Sequence, residues 1–161
     1  MHPTIESLFD AAERRYLEQN ELDVLTEYVE SLPDRVDAYR CLRDREVAIM
    51  QSVADQLEIQ FSTESQETLE RCLRNALLMM RHAAMSMLQN DSELLDQQLT
   101  VWLTETNAVY NTRAIDTALY SLLNQQLEAT LTPTQLKLIH PYISAAEQAM
   151  NAQSEPITVT A

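Results

Sequence analysis

Glycine is absent from the whole 161-residue chain, and that absence decides most of what it can fold into. Phosphate-cradling loops and dinucleotide-binding turns need backbone positions that only glycine fills well, so neither is expected. Two-residue β-hairpin turns favour glycine for the same reason. What remains is helix: Leu, Ala, Glu, Gln and Arg dominate the chain, and all are strong helix formers. The expectation is one all-α domain, long enough to bury a sizeable core.

Charge narrows the partners. The formal net charge is −14 and Lys137 is the single lysine. Such a chain repels nucleic acid and anionic membranes and suits surfaces of matched charge. No apolar run reaches the roughly 18 residues of a membrane span. The opening "MHPTIESLFD" has no basic segment followed by an apolar one, so a signal peptide is not expected. Cys41 and Cys72 do not make a disulfide framework, which fits a reducing cytoplasm.

Periodicity divides the chain into helices. "TIESLFDAAERRYL" sets Ile5, Leu8, Phe9 and Ala12 on one face, with Pro3 suited to a first turn. "ELDVLTEYVESL" repeats the pattern with Leu22, Leu25 and Val29, giving two short helices in a hairpin. Pro33 then begins a long segment whose apolar positions are Val36, Tyr39, Leu42, Val47, Met50, Val53 and Leu57. It reads as one long helix, or two with a bend near Arg43–Arg45. "STES" at 62–65 can cap the next helix, and 66–89 is the most apolar helix of the chain. Asp91 caps a helix running to about Val109, and "YNT" separates it from "RAIDTALYSLLNQQLEATL". Thr132 to Gln135 form a capping box. The last helix runs to about Met150 and bends at Pro141, which has no N–H for the ladder. A mobile tail is expected after it. The count is seven or eight helices, as a globin-like fold or a bundle.

Chemistry is sparse. His2, His82 and His140 have no His or Cys partner at metal-ligand spacing. His82 or His140 as a haem ligand is one reading; a half-buried, hydrogen-bonded histidine is the plainer one. No serine sits in a nucleophile-elbow motif. Glu6 and Asp10 are like charges one turn apart, either a solvated face or a surface for a basic partner. Met79, Met80, Met85 and Met87 read mainly as core, and Cys41 as a small buried apolar residue. Cys72 has different company in "RCLRNALLMMRHAA". Arg74 can make bidentate bonds to carboxylates such as propionates. Asn75 lies one turn beyond Cys72 on its face, and a thioether-linked ligand would run past it towards Ala76 and Met79. A buried core cysteine is the rival reading.

Several short pieces, in this order, resemble the phycobiliproteins, the allophycocyanin and phycocyanin family of cyanobacterial light-harvesting antennae. "RYL", "ELD" and "YV" at Arg15–Leu17, Glu21–Asp23 and Tyr28–Val29 resemble the family's N-terminal hairpin. "CLRN" at Cys72–Asn75 resembles its "CLRD" attachment motif. Arg81 and the Asp91 that follows "LQN" fall where the family has an arginine and an "AGD" turn. The likeness covers roughly residues 10–150.

The resemblance implies a globin-like phycobiliprotein fold. Residues 1–32 would be the N-terminal helical hairpin, 33–150 a six-helix core and 151–161 a flexible tail. It implies a close pair with a related subunit or with itself, and in the family often a ring of pairs. Asp10, Arg15, Tyr16 and Arg81 would lie at that interface; Asp10, one residue early by family spacing, is the candidate to meet the partner's arginine. It implies an open-chain tetrapyrrole, phycocyanobilin-like, on Cys72, contacted by Arg74, Asn75 and Met79 and attached by a separate lyase. The chain itself would not be an enzyme. Its place would be the cytoplasm, at the thylakoid face through the phycobilisome.

The pigment site departs from the family pattern. Asn75 stands where the family has aspartate, so a protonated bilin would lose a charge-assisted bond of about 1.5–3 kcal/mol. Met85 stands where tyrosine is usual. The loop before the attachment helix is shorter and lacks its glycine-rich turn, and "NAVYNTRA" replaces a glycine-proline turn. Two functions therefore stay open: light harvesting with a bilin at Cys72, or a chromophore-free interaction protein for phycobilisome assembly, turnover or regulation.

Overall fold

The computed structural model describes residues 2–106 and 112–152, with the side chains of 101–106 and 151–152 left aside. Six α-helices and no strand make up the described residues: α1 (Pro3–Ala12), α2 (Gln19–Gln60), α3 (Gln66–Gln89), α4 (Ser92–Thr106), α5 (Arg113–Thr130) and α6 (Pro133–Ala152). The all-α expectation holds.

The helix ends follow local chemistry. Pro3 opens α1, and the His2 ring accepts from the Thr4 N–H at 3.2 Å. Ser65 Oγ accepts from the Thr68 N–H at 3.2 Å and caps α3. The Asp91 carboxylate takes the Glu93 N–H at 3.0 Å and caps α4. The Thr132–Gln135 box forms in both directions, at 3.1 and 3.3 Å. At the end of α3 the backbone must turn left-handed, and without glycine the chain uses asparagine: Asn90 has φ 55°. Its N–H bonds to Met87 O, and the Asp91 N–H reaches Ser86 O, closing the last turn.

The main departure from expectation is at Pro33. The first short helix forms as α1, but the second does not stand apart from the long one. Instead α2 runs unbroken through Pro33 for 42 residues, about 63 Å at 1.5 Å per residue. Proline removes one ladder bond, and the bonds on either side carry the helix on. This fusion reduces the expected seven or eight helices to six among the described residues. A second departure is phase. The buried line of α2 is Arg35, Ala38, Leu42, Ile49, Val53 and Leu57, so Val47, placed on the core face by its apolarity, is 79 % exposed. Pro141 lies inside α6. Residues 107–111 of the expected α4–α5 turn, and the expected tail from residue 153 onward, lie outside the described residues.

Along α2, burial begins at Arg35. From there α2 packs against α3, α5 and α6, and α3 touches α2, α4, α5 and α6. Leu42, Val53 and Leu57 of α2 meet Met79, Met80 and Met87 of α3 and Leu119, Leu123 and Ile139 of α5 and α6 in one continuous cluster. Between Gln19 and Asp34 no residue of α2 is buried. Ile5 and Leu8 of α1 are buried but stand outside the main cluster. Roughly the first fifth of the chain is thus an arm on the core.

Candidate functional site: the Cys72 face and the N-terminal arm

Cys72 belongs to the buried stripe of α3. With Ala76, Met79 and Ala83 it recurs at helical spacing towards the core, and it is 3 % exposed. Its surroundings are not purely hydrocarbon. Asp116 of α5 and Thr112, the residue just before that helix, both act on the thiol, and the Thr112 hydroxyl donates to the Asp116 carboxylate at 2.7 Å. Tyr120, one turn beyond Asp116, is buried, and its hydroxyl has no hydrogen-bond partner among the described residues.

Electrostatics follow from this placement. Burial pushes the Cys72 thiol up to about 12, the Asp116 carboxyl adds to the rise, and Arg71 opposes it. Burial also raises the Asp116 carboxyl, against hydrogen bonds from Thr112 and Cys72 that favour its ionised form. Desolvation raises Tyr120 as well. Each shift disfavours the charged form of a buried group.

Of the other residues picked out near Cys72, Met79 shares its buried stripe, whereas Arg74 does not. Arg74 is exposed. Two residues on from Cys72, it stands about 200° round the helix. It lines a groove of about 480 Å³ between α2 and α3, with Val47, Met50, Leu73 and Leu77. Cys72 faces α5; Arg74 faces α2. Asn75 is half-buried, and Met79 is buried in the core cluster.

The arm is the opposite case. Phe9, Leu22, Val24, Val29 and Leu32 are exposed apolar residues, and Tyr16 is 98 % exposed. Asp10 is exposed on α1. Arg15 grips Glu21 through two 2.7 Å bonds, and its NH1 also reaches Tyr16 O. The Arg15 guanidinium, with the Glu18 N–H, lowers the Glu21 carboxyl to about 2. This brace closes the α1–α2 turn, because Glu21 also takes the Glu18 N–H at 2.8 Å.

Arg81, expected to meet an aspartate of a partner, is already paired within the chain. It makes a fork with Glu46 of α2, Nε to Oε2 at 2.7 Å. The pair forms one wall of a groove of about 500 Å³ that also includes Tyr39, Arg43, His82 and Met85. His140, by contrast, is exposed on α6.

The comparison that decides the family covers nearly the whole chain: the family model for phycobilisome proteins matches residues 9–150. The chain belongs to the phycobilisome protein family. No curated protein was found to match it. As a phycobilisome protein it has the expected architecture, the all-helical, globin-like phycobiliprotein fold. Members of this family are structural light-harvesting proteins, and they assemble into oligomers. Among the described residues no helix is long and apolar enough to cross a membrane.

Sequence reasoning missed Asp116, Thr112 and Arg35. The signal for the first two was present in "TRAIDTALY", where Thr112, Asp116 and Tyr120 share one face of α5 at steps of four. Arg35 sits in phase with Ala38 and Leu42, a charge on an otherwise apolar stripe.

Proposed function

We propose that this phycobilisome-family protein acts without a chromophore, as an interaction protein in phycobilisome assembly, turnover or regulation. The observation that carries this reading is the Cys72 sulfur, 3 % exposed and raised to about 12. Thioether formation needs a thiolate, and such a thiol is ionised to about one part in 10⁵ at pH 7. Arg74, the propionate contact of the resemblance, stands on another side of α3, and Asn75 brings no charge for a protonated bilin. Residues 1–32 serve pairing, and residues 33–150 form the core that holds them. The partner is a related phycobiliprotein subunit or a second copy of the chain, in a pair or a ring. Asp10 and Tyr16 meet it directly; Arg15 holds the turn that presents them. Arg81 contributes through the α2–α3 groove, once Glu46 shares it. The protein works in the cytoplasm, and at the thylakoid face only through the phycobilisome.

One observation favours the second reading, a phycocyanobilin-like tetrapyrrole on Cys72. Asp116 supplies a buried carboxyl beside the sulfur, where Asn75 lacks one. In that case Arg74, Asn75 and Met79 complete the contacts, and the bound group absorbs and passes on light energy. The test is denaturing electrophoresis of protein from a pigment-making cell, read by zinc-enhanced fluorescence. A colourless band of unmodified mass is expected. A fluorescent band that disappears in Cys72→Ala overturns the chromophore-free reading.

A further inference from the structure

Arg35 is 1 % exposed, and no carboxylate forms an ion pair with it among the described residues. Its guanidinium instead spans two parts of the molecule. One terminal nitrogen donates to the Tyr28 carbonyl on the arm at 2.7 Å. The other donates at 2.6 Å to the carbonyl of Leu88, in the last turn of α3. Its central carbon lies 4.5 Å from the centre of the Tyr28 ring, which is cation–π range. The Tyr28 ring in turn stands 6.0 Å from the ring of His2 at the start of α1.

This side chain straddles the weakest point of α2. Pro33 has no N–H, so the Val29 carbonyl has no ladder donor, and the proline ring crowds it. Proline inside a helix is a common cause of kinks. Apolar burial before it is confined to Ile5 and Leu8 of α1, and none of residues 19–34 is buried. A cation buried without a counter-ion is a poor way to stabilise a core. The α3 carbonyl end offers it a negative potential and needs donors, which explains how the charge is tolerated. Its Nε has no hydrogen-bond partner among the described residues.

We propose that Arg35 is a latch that sets the direction of the N-terminal arm against the core, and so a positioning residue for the pairing surface. The second half rests on the pairing role of the arm proposed above. With the latch closed, the arm holds one orientation across the proline joint. With it open, the arm swings, and a partner must spend binding energy to order it.

Hydrogen exchange on the full chain at a concentration where it is monomeric tests the latch, and sedimentation with purified phycobiliprotein subunits tests its consequence. Arg35→Met keeps bulk and apolar packing while removing the charged bonds. Amides of residues 22–32 should exchange about tenfold faster, with those of α3, α5 and α6 unchanged, and the complex with the subunits should weaken. Tyr28→Leu removes the ring contact on the arm side only and should speed arm exchange about threefold. It decides the matter alone if Arg35→Met does not fold. Unchanged arm exchange in a folded variant overturns the latch. Faster exchange with undiminished pairing overturns the positioning role. Faster exchange in a protein that pairs with nothing upholds the latch and removes the pairing reading.

Discussion

The arm and the core are built from the same residue types to opposite ends. In the core, Leu123, Val53 and Ile139 are wholly buried; in the arm, Leu22, Val24, Val29 and Leu32 face solvent. Both stretches are helical, and both hold apolar residues at helical spacing. The difference lies in what stands opposite. Core helices have one another, whereas among the described residues no position from 19 to 34 of α2 is buried. Apolar side chains scattered on a surface are ordinary. A helical segment with several of them and no buried position is what the pairing role proposed for the arm requires.

This contrast makes stability and pairing separable. The largest effect is expected from Leu123→Ala, at a fully buried position; it should destabilise the fold by about 3 kcal/mol in urea unfolding of the monomer. Val29→Ala, at an exposed arm position, should change the same measurement by less than about 0.5 kcal/mol while weakening association. A comparable loss from both would mean that the arm is part of the core.

The next effect concerns pH. The folded Cys72 thiol sits at about 12 against an ordinary value of 9.0. Its neutral form is favoured by folding, so its contribution is complete below pH 9 and is lost as pH rises from 9 towards 12. Wild type should lose about 1 kcal/mol more than Cys72→Ala between pH 8 and pH 10. Alkylation at pH 8 should mark the half-buried Cys41 before Cys72. Equal rates, or no alkaline difference, would mean that the sulfur is open to solvent.

A small effect on stability is also expected from Arg81→Glu. The Arg81–Glu46 fork is largely exposed on the arginine side, and such pairs contribute about 1 kcal/mol or less. Helicity should survive, but sedimentation should shift towards monomer. An unchanged assembly would remove Arg81 from the pairing surface.

Much of the fold was legible in the sequence. The missing glycine made it helical, and Ser65, Asp91 and the Thr132–Gln135 box marked helix starts that the hydrogen bonds reproduce. The fusion of α2 across Pro33 was not legible. Proline signals a break, and whether the ladder resumes depends on tertiary partners such as Leu88 O. The phase of α2 was misread at Val47 because apolarity was weighed above spacing: Ala38 and Ile49 carry the buried line. Cys72 and Arg74 were visible as a motif, but adjacency in sequence does not make a shared pocket, since about 100° of rotation per residue sends them to different neighbours. Asp116 and Arg35 escaped because a charge on a helix usually reads as solvated surface, and only the fold reveals the residues opposite.

Sedimentation velocity over a range of concentrations, for the native chain alone and with purified phycobiliprotein subunits, most directly tests whether the arm is a pairing surface. Assembled species are expected with wild type and not with Val29→Asp combined with Leu32→Asp, whose core should unfold as wild type does. A chain that sediments as monomer under every condition, or a double variant that assembles as well as wild type, would contradict it.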